Sequence, residues 1–322
     1  MNIGSDIGFA AKLLMDGETV GIPTETVYGL AANALNEDAV LQIFKIKNRP
    51  TFNPLIVHVH SVIEMEKFVT HIPESARKLL QEFSPGPLTL VLPKKEIVPD
   101  LVTSGHPTVA IRIPAHPLLL MLLKQLPFPL AAPSANPFGY ISPTTAQHVH
   151  DQLGADVPYI LDGGECAVGV ESTIVSFAEE DTPEVLRYGG ITLEQLNEVI
   201  PISSKQWSID IESQIIAPGM TPNHYSPNTP LYLGNVDELM RNFVEKETAI
   251  LCFCKKNKNW PRAKQVILAQ SGTLEEAAKN LFSTLRAMDK AGYRQIIASK
   301  VIELGLGRAI NDRLQRASVN IC

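Results

Sequence analysis

Short apolar segments interleave with amphipathic helical patterns along most of this chain, and their spacing constrains the fold more than any other feature. LIVHVH (55–60), PLTLVLP (87–93) and VAIRIP (109–114) have the length and the apolar content of buried strands. Asn36 precedes a helical pattern that Pro50 ends. Strands and helices do not alternate strictly, and several strands follow one another closely. The pattern predicts an α/β fold in which helices cover a mixed sheet.

An irregular stretch divides the chain in two. Residues 201–230 hold five prolines and no sustained hydrophobic period, which is typical of an interdomain linker or of a functional loop. Beyond it, strand and helix patterns alternate again and indicate a small parallel α/β domain. We therefore expect a first domain over 1–200, a linker over 201–230 and a second domain over 231–322.

Charge and composition exclude several classes of protein. Lys and Arg number 28 against 34 for Asp and Glu, a formal charge of −6, whereas proteins that coat nucleic acid or anionic membranes normally have a basic excess. The four cysteines form no C-x-x-C pair, and no apolar run reaches the roughly 18–20 residues of a membrane span. The first residues carry acids where a signal peptide needs basic residues. We expect a cytoplasmic protein without membrane contact. Any anion that it binds should be held by a few Lys or Arg side chains at specific positions.

Common cofactor motifs are absent from the sequence. No G-x-x-x-x-G-K-[ST] phosphate loop occurs, and GLGRAI (305–310) lacks the third glycine of a dinucleotide fingerprint. His58 and His60 share a strand face, but no Cys or carboxylate is spaced nearby to complete a metal site. We therefore predict no metal ligands among the protein side chains.

Several predicted strands carry a polar side chain inside an apolar run. Arg112 faces away from the apolar side of VAIRIP, and a guanidinium in mid-strand is costly unless it is paired. This position indicates either a structural ion pair or a fixed fork for a carboxylate or phosphate. His58 in LIVHVH and Thr173 in ESTIVSF follow the same logic, and Arg187 in VLRYG lines a cavity or pairs at an edge.

Polar clusters also follow the ends of predicted elements, and loops at strand ends are where ligands bind in open α/β sheets. The simpler roles are cations that complement a helix dipole and hydroxyls that cap a helix. The clusters are Lys47, Arg49 and Asn53 before LIVHVH, Ser134 and Asn136 after an apolar strand, and Ser142 before a helix.

Taken in order along the chain, these segments resemble the YrdC/Sua5 family. PNHYSP (222–227) and AINDRLQRA (309–317) resemble its longer, two-domain form. The motifs of the first domain are PTETVYGLAANA (23–34), the KxR of Lys47–Arg49, NPLIVHV (53–59), PGPLTLVL (85–92), VAIRIP, the SxN of Ser134–Asn136, GVESTIV (169–175) and VLRYG (185–189).

The resemblance implies a fold and an activity. The fold is a twisted α/β sheet with a concave, cationic face, followed by a small Rossmann-like domain. The activity is L-threonylcarbamoyladenylate synthesis, in which a nucleotidyltransferase combines L-threonine, bicarbonate or CO2, and ATP and releases pyrophosphate. The product is passed to a tRNA threonylcarbamoyl transferase complex for t6A modification of tRNA, and weak RNA contact is possible.

The resemblance also implies site residues by motif position. The expected catalytic residues are Lys47, Arg49 and Arg112. Mg²⁺ is expected to enter on the ATP phosphates. The linker is expected to cover the site. The expected threonine ligands are Thr26, His58, Arg112, Ala132 and Thr173. The expected ATP ligands are Lys47, Arg49, Asn53, Thr108, Ser134, Asn136, Ser142, Arg187, His224 and Tyr225.

Two other interpretations stay open at this point. A non-catalytic RNA-binding module of the same fold would show steep salt dependence and release no pyrophosphate. A carbamoyl-transfer enzyme is the second, because YrdC-like domains also occur in hydrogenase-maturation proteins, although the additional segments of those proteins are not seen in this sequence.

Overall fold

The computed structural model describes residues 2–178, 183–203, 217 and 224–319. Most of the predicted linker, namely 204–216 and 218–223, therefore lies outside the described residues. Of the described helices, none combines the length and the apolar content that crossing a bilayer requires.

The described residues form fourteen strands and eleven α-helices. The strands are β1 (Ile3–Gly4), β2 (Val20–Ile22), β3 (Gly29–Asn33), β4 (Ile56–His58), β5 (Leu88–Pro93), β6 (Thr108–Arg112), β7 (Leu130–Ala131), β8 (Tyr159–Leu161), β9 (Thr173–Ser176), β10 (Glu184–Arg187), β11 (Leu231–Leu233), β12 (Thr248–Cys252), β13 (Lys264–Ile267) and β14 (Gln295–Ala298). The helices are α1 (Ile7–Met15), α2 (Glu37–Lys47), α3 (Val62–Met65), α4 (Glu74–Phe83), α5 (Asp100–Thr103), α6 (Pro117–Gln125), α7 (Ala146–Leu153), α8 (Leu193–Val199), α9 (Val236–Leu239), α10 (Leu274–Lys290) and α11 (Gly307–Ala317).

Two sheets organise these elements. Among the described strands, ten form a sheet in the order β1-β8-β2-β3-β7-β4-β6-β5-β9-β10, with parallel and antiparallel neighbours. The other four form a parallel sheet in the order β11-β14-β12-β13. The predicted fold class, a mixed α/β sheet followed by a small parallel α/β domain, is confirmed.

The two faces of the large sheet differ as the strand patterns predicted. Val57 and Ile111 pack into the main apolar core together with side chains of α2 and α4. Ala110 belongs to a separate cluster on the opposite face. The parallel register of β4 and β6 sets His58 beside Arg112. Because successive residues of a strand point to opposite faces, His58 and Arg112 lie together on the face away from the main core.

Helix α2 begins at the residue that its sequence predicts. The side chain of Asn36 accepts a hydrogen bond from the backbone nitrogen of Ala39 at 3.2 Å, which satisfies one of the free donors of the first turn. The helix ends at Lys47, and Asn48 takes the left-handed conformation with φ 50°, which asparagine tolerates better than most residues. The end of the helix therefore places the buried side chains of Lys47 and Arg49 next to the sheet.

The helical pattern that follows the linker predicts a helix over Val236–Lys246, and the length of this helix is wrong. Helix α9 is a single turn, and two short 3₁₀ turns follow it. Phe243 lies between those turns with an extended backbone, and its ring packs against Tyr232 with 4.8 Å between the centroids. The partly buried Phe243 ring thus contacts β11 from a non-helical backbone, and such tertiary contacts can override local helical propensity.

An apolar cluster joins the two parts of the chain. Val27, Ile141 and Val170 from the first part pack in one cluster with Leu281 and Phe282 of α10. The predicted boundaries at 200 and 231 stay a prediction. The cluster shows that the described residues on the two sides share buried surface.

We expect Asn36→Ala to lower the free energy of unfolding by about 1 kcal/mol, because α2 loses its N-cap acceptor. Urea denaturation followed by circular dichroism measures this loss. Asn36→Asp is the control, since aspartate also caps and its charge favours a helix N-terminus. Equal stability of the alanine variant and the parent chain would contradict the role given to this cap.

Candidate active site

A cavity opens on the face of the large sheet that carries His58 and Arg112. It contains about 530 Å³ of empty space, its open mouth included. Nine of the residues that the sequence predicts as site residues line it, although they come from many separate elements. They are Thr26, Arg49, His58, Arg112, Ala132, Ser134, Arg187, His224 and Tyr225.

Arg112 lines this cavity and is held by three hydrogen bonds. Its Nη2 donates to Oε1 of Glu25 at 2.6 Å, and its Nη1 donates to the hydroxyl of Thr26 at 3.0 Å. Its Nε donates to the carbonyl oxygen of Gly86 at 3.2 Å. The guanidinium is 4% exposed. The ion pair with Glu25 confirms the structural interpretation of Arg112. The guanidinium also borders the cavity, and its binding of a carboxylate or phosphate stays a prediction.

His58 is a neutral side chain beside Arg112. Its Nδ1 donates to the carbonyl oxygen of Ile56 at 3.2 Å. Burial, and next the charge of Arg112, lowers the pKa of His58 to about 3, because both disfavour a second positive charge. At physiological pH the imidazole can therefore exchange hydrogen bonds with a ligand without adding charge.

Arg49 and Arg187 supply positive charge elsewhere in the lining. Arg49 donates from Nη2 to Oδ1 of Asn53 at 2.6 Å and to the carbonyl oxygen of Pro54 at 2.9 Å. Arg187 donates from Nη2 to the carbonyl oxygen and to the hydroxyl of Ser172, each at 3.0 Å. Burial lowers the pKa of Arg49 to about 9, to which the nearby Arg187 also contributes. An anion bound between these guanidinium groups would relieve the cost of their burial.

Lys47 lies behind the lining rather than in it. Its Nζ donates to the carbonyl oxygen of Ser134 at 2.6 Å and to that of Asn136. The amide of Asn136 donates in turn to the carbonyl oxygen of Tyr140 at 2.8 Å. Burial, and next the charge of Arg49, lowers the pKa of Lys47 well below its usual range. Lys47 thus anchors the loop that brings Ser134 to the cavity.

Four further predicted residues lie outside the lining. Asn53 is buried beside Arg49, and its Nδ2 finds no acceptor among the described residues. Ser142 donates to Oε1 of Glu171 at 2.6 Å. Thr173 donates its hydroxyl to the carbonyl oxygen of Ile191 at 2.6 Å. Thr108 begins β6, four residues from Arg112, and is partly exposed. The ligand roles assigned to these residues stay predictions.

Sequence reasoning missed three polar residues that line the cavity, Thr24, Glu171 and Ser172. Ser172 and Ile174 share a strand face that excludes Thr173, so the strand pattern contained the signal for Ser172. The prediction favoured the face of Thr173, whereas Ser172 is the residue of this pair that lines the cavity. Thr24 shares a hydrogen bond of 2.8 Å with Thr26, which lies in the same loop.

His224 and Tyr225 close one side of the cavity. The His224 and Tyr225 rings meet edge to face, with 4.1 Å between the centroids. Burial, and next the charges of Arg49 and Lys47, lowers the pKa of His224 well below its usual range. Burial also raises the pKa of Tyr225, so both side chains are buried and neutral near the end of the predicted linker.

The described residues include no group of three or more His, Cys, Asp or Glu side chains that could hold a metal ion. In the lining itself, Glu171 is the one acidic side chain among these residues. It accepts a hydrogen bond from Nε of Arg313 at 2.9 Å. The described lining therefore combines buried cations and hydroxyls with one paired carboxylate.

Comparison with known proteins places this site in a family. The family model for Sua5, YciO and YrdC, described as "Telomere recombination", matches residues 12–189. The chain belongs to the YrdC/Sua5 family. A second model, described as the C-terminal domain of threonylcarbamoyl-AMP synthase, matches residues 191–319, so the chain has the longer form of this family.

Relatives of this family match over almost the full chain. The threonylcarbamoyl-AMP synthase of Pyrococcus abyssi is 41% identical over 97% of this chain and 94% of its own length. That of Bacillus subtilis is 40% identical over 97% and 92%. The crystal structure of Pyrococcus abyssi Sua5 complexed with L-threonine superposes with a TM-score of 0.88, at 41% identity, over 97% of this chain and 94% of that one.

We expect His58 to make this protein sensitive to acid. The folded-state pKa of about 3 lies below the unfolded value of about 6.5, so the unfolded state takes up the proton first as the pH falls. Between pH 7 and pH 5 this costs about 2 kcal/mol of the free energy of unfolding. His58→Gln should remove that part of the loss in urea denaturation at the two pH values. His60→Gln, at a partly exposed position two residues along, should keep it, and an unchanged loss in His58→Gln would contradict the assignment.

Proposed function

We propose that this protein is an L-threonylcarbamoyladenylate synthase, which combines L-threonine, bicarbonate or CO2, and ATP and releases pyrophosphate. Membership of the family and the names of its full-length relatives support this function. The observation that carries it is a single cavity lined by a guanidinium that an ion pair fixes, Arg112, and by two further guanidinium groups, Arg49 and Arg187. Such a cavity suits an amino acid carboxylate beside a triphosphate.

The end of the cavity with Arg112 is the proposed threonine site. Glu25 and Thr26 hold the guanidinium in one orientation, so its remaining N–H groups can bind the carboxylate of threonine. Thr26 and the neutral His58 are suited to hydrogen bonds with the hydroxyl and amino groups. The backbone nitrogen of Ala132 already donates to the carbonyl oxygen of Ile56 at 2.9 Å, which leaves the Ala132 carbonyl as the backbone contact.

The end with Arg49 and Arg187 is the proposed triphosphate site. The hydroxyl-bearing Ser134 borders it, and Lys47 holds the backbone of that loop. The free amide nitrogen of Asn53 offers a further donor next to Arg49. Mg²⁺ enters with ATP as the Mg–ATP substrate, because phosphate oxygens are its preferred ligands. The one lining carboxylate among the described residues, Glu171, is already held by Ser142 and Arg313.

The reaction needs positioning and charge stabilisation from these residues. The amine of threonine adds to CO2 and loses a proton, which gives a carbamate. A carbamate oxygen then attacks the α-phosphorus of ATP, and the bond from that phosphorus to the β-phosphate bridging oxygen breaks, so pyrophosphate leaves. Arg112 orients the nucleophile, and Arg49 and Arg187 stabilise the charge that develops on the phosphates.

Exclusion of water is the role we give to His224 and Tyr225. Both the carbamate and the mixed anhydride hydrolyse, so the reaction benefits from a closed site. The two rings line the cavity together with Arg49, and the Phe138 ring meets the His224 ring edge to face with 5.8 Å between the centroids. ATP therefore meets these rings when it enters the site.

The proposed product defines the wider role. We propose that threonylcarbamoyl-AMP passes to a tRNA threonylcarbamoyl transferase complex for t6A modification, with the cytoplasm as the compartment. The alternative of a non-catalytic RNA-binding module would leave the Arg112 fork without a use. That alternative requires RNA affinity that falls steeply with salt, and no pyrophosphate release.

We expect Arg112→Ala to lower kcat/KM for threonine by at least about a hundredfold in an assay of threonine-dependent pyrophosphate release. The variant loses the cation that binds the substrate carboxylate. Arg77→Ala is the control, because Arg77 forms an exposed ion pair with Glu66. Circular dichroism shows whether the variant is folded. If the alanine variant fails to fold, Arg112→Lys replaces it, since lysine keeps the charge but not the fork. Parent-level activity in the folded variant would contradict the threonine site.

We expect Lys47→Ala to raise KM for ATP by about tenfold and to change KM for threonine by less than about twofold. The reason is that the Ser134–Asn136 loop loses its ammonium anchor at the triphosphate end. Steady-state kinetics with each substrate varied in turn measures the two constants. Lys45→Ala is the matched control, an exposed lysine on the same helix. A loss confined to threonine would contradict the division of the cavity into two ends.

A further inference from the structure

Arg313 of α11 has no exposed surface, and it is the largest fully buried side chain in the described part of the protein. Its Nε donates to Oε2 of Glu171 at 2.9 Å, and its Nη1 donates to Oδ2 of Asp312 at 2.7 Å. Its Cζ lies 5.1 Å from the centre of the Tyr225 ring. One side chain from the C-terminal part of the chain therefore contacts two residues of the cavity lining.

Tyr225 needs such support because its backbone is unfavourable. Its φ of 68° is in the left-handed region, which a bulky residue rarely adopts. The ring stacks on Phe282 with 5.5 Å between centroids, and the backbone nitrogen of the preceding His224 donates to the carbonyl oxygen of Arg316 at 3.2 Å. These partners, like Arg313, lie on α10 and α11. The C-terminal helices thus hold the tyrosine in its position.

Glu171 needs compensation for an electrostatic reason. Its carboxylate borders the same cavity as Arg49 and Arg187, where the triphosphate is proposed to bind. A buried negative charge at that place would repel phosphate. The hydrogen bond from Ser142 is neutral, whereas Arg313 contributes a full positive charge to Glu171 at hydrogen-bond distance. The burial of this guanidinium is explained by the acid that it neutralises.

We propose that Arg313 is a positioning residue for the nucleotide end of the cavity, which neutralises Glu171 and holds Tyr225 in place. This inference rests on the proposed function, and it gives the C-terminal part of the chain a role in ATP binding. The threonine end is built from Thr26, His58 and Arg112, and Arg313 makes no hydrogen bond to them in the described structure. Loss of Arg313 should therefore weaken ATP binding and spare threonine binding.

The test measures the affinity of the full chain for Mg–ATP and for L-threonine by calorimetry. We expect Arg313→Gln to weaken Mg–ATP binding by at least about tenfold and to change threonine binding by less than about twofold. Arg313→Lys keeps the charge and should recover part of the loss. The double variant Arg313→Gln/Glu171→Gln removes the acid as well and should also recover part of it, because no buried negative charge then lies uncompensated beside the phosphates. The ATP-selective loss in Arg313→Gln is the readout that a merely structural role would not produce.

Arg308→Gln is the matched control. Arg308 lies on the same helix and also reaches the first part of the chain, through an ion pair with Glu194, but it is 23% exposed and lies apart from the cavity lining. The Arg308→Gln variant should bind Mg–ATP and L-threonine with the affinities of the parent chain. If Arg313→Gln does not fold, Arg313→Lys takes its place, and its ATP-selective loss supports the proposal.

Parent-level Mg–ATP affinity in the folded variant overturns the proposal, and so does an equal loss for both ligands. Threonine-dependent pyrophosphate release by the parent chain is measured separately. Its absence overturns the proposed function, whereas the two affinities still decide the role of Arg313.

Discussion

The burial of positive charge is the constraint on which the rest of this structure depends. Lys47, Arg49, Arg112 and Arg187 are each less than a tenth exposed, and a buried cation is costly unless other groups compensate for the water that it loses. Among the described residues, the hydrogen bonds of Lys47 and Arg49 go to neutral oxygens. Neutral oxygens orient a cation but do not cancel its charge. The cavity beside these groups is therefore electrostatically prepared for an anion.

The buried guanidinium groups at the cavity differ in whether an acidic side chain neutralises their charge. Arg112 is paired with Glu25, so it keeps a fixed direction and borders the cavity as an oriented fork. Arg313 is paired with Glu171 and lies behind the lining. Arg49 meets only amide and carbonyl oxygens among its described partners. A single carboxylate suits the oriented fork, whereas the several charges of a triphosphate suit the less compensated region.

Local structure was predictable where one pattern dominates. The alternation in β4 and β6 correctly set His58 and Arg112 apart from the core, because a strand places successive side chains on opposite faces. Asn36 caps α2 as expected, because capping involves only neighbouring residues. The helix near 236–246 was wrong in length, because local propensity does not include tertiary contacts such as that of Phe243 with Tyr232.

The sequence by itself determined the fold class, the faces of β4 and β6 and, through the resemblance of its motifs, the family and most of the cavity lining. Only the tertiary structure decided which face of β9 borders the cavity, that Lys47 supports a loop from behind, and that Arg313 reaches Glu171 across 142 residues of sequence. Strand periodicity and capping act over a few residues, so they can be read along the chain. The partner of a buried charge is set by the packing of distant elements, so it becomes visible only when the chain is folded.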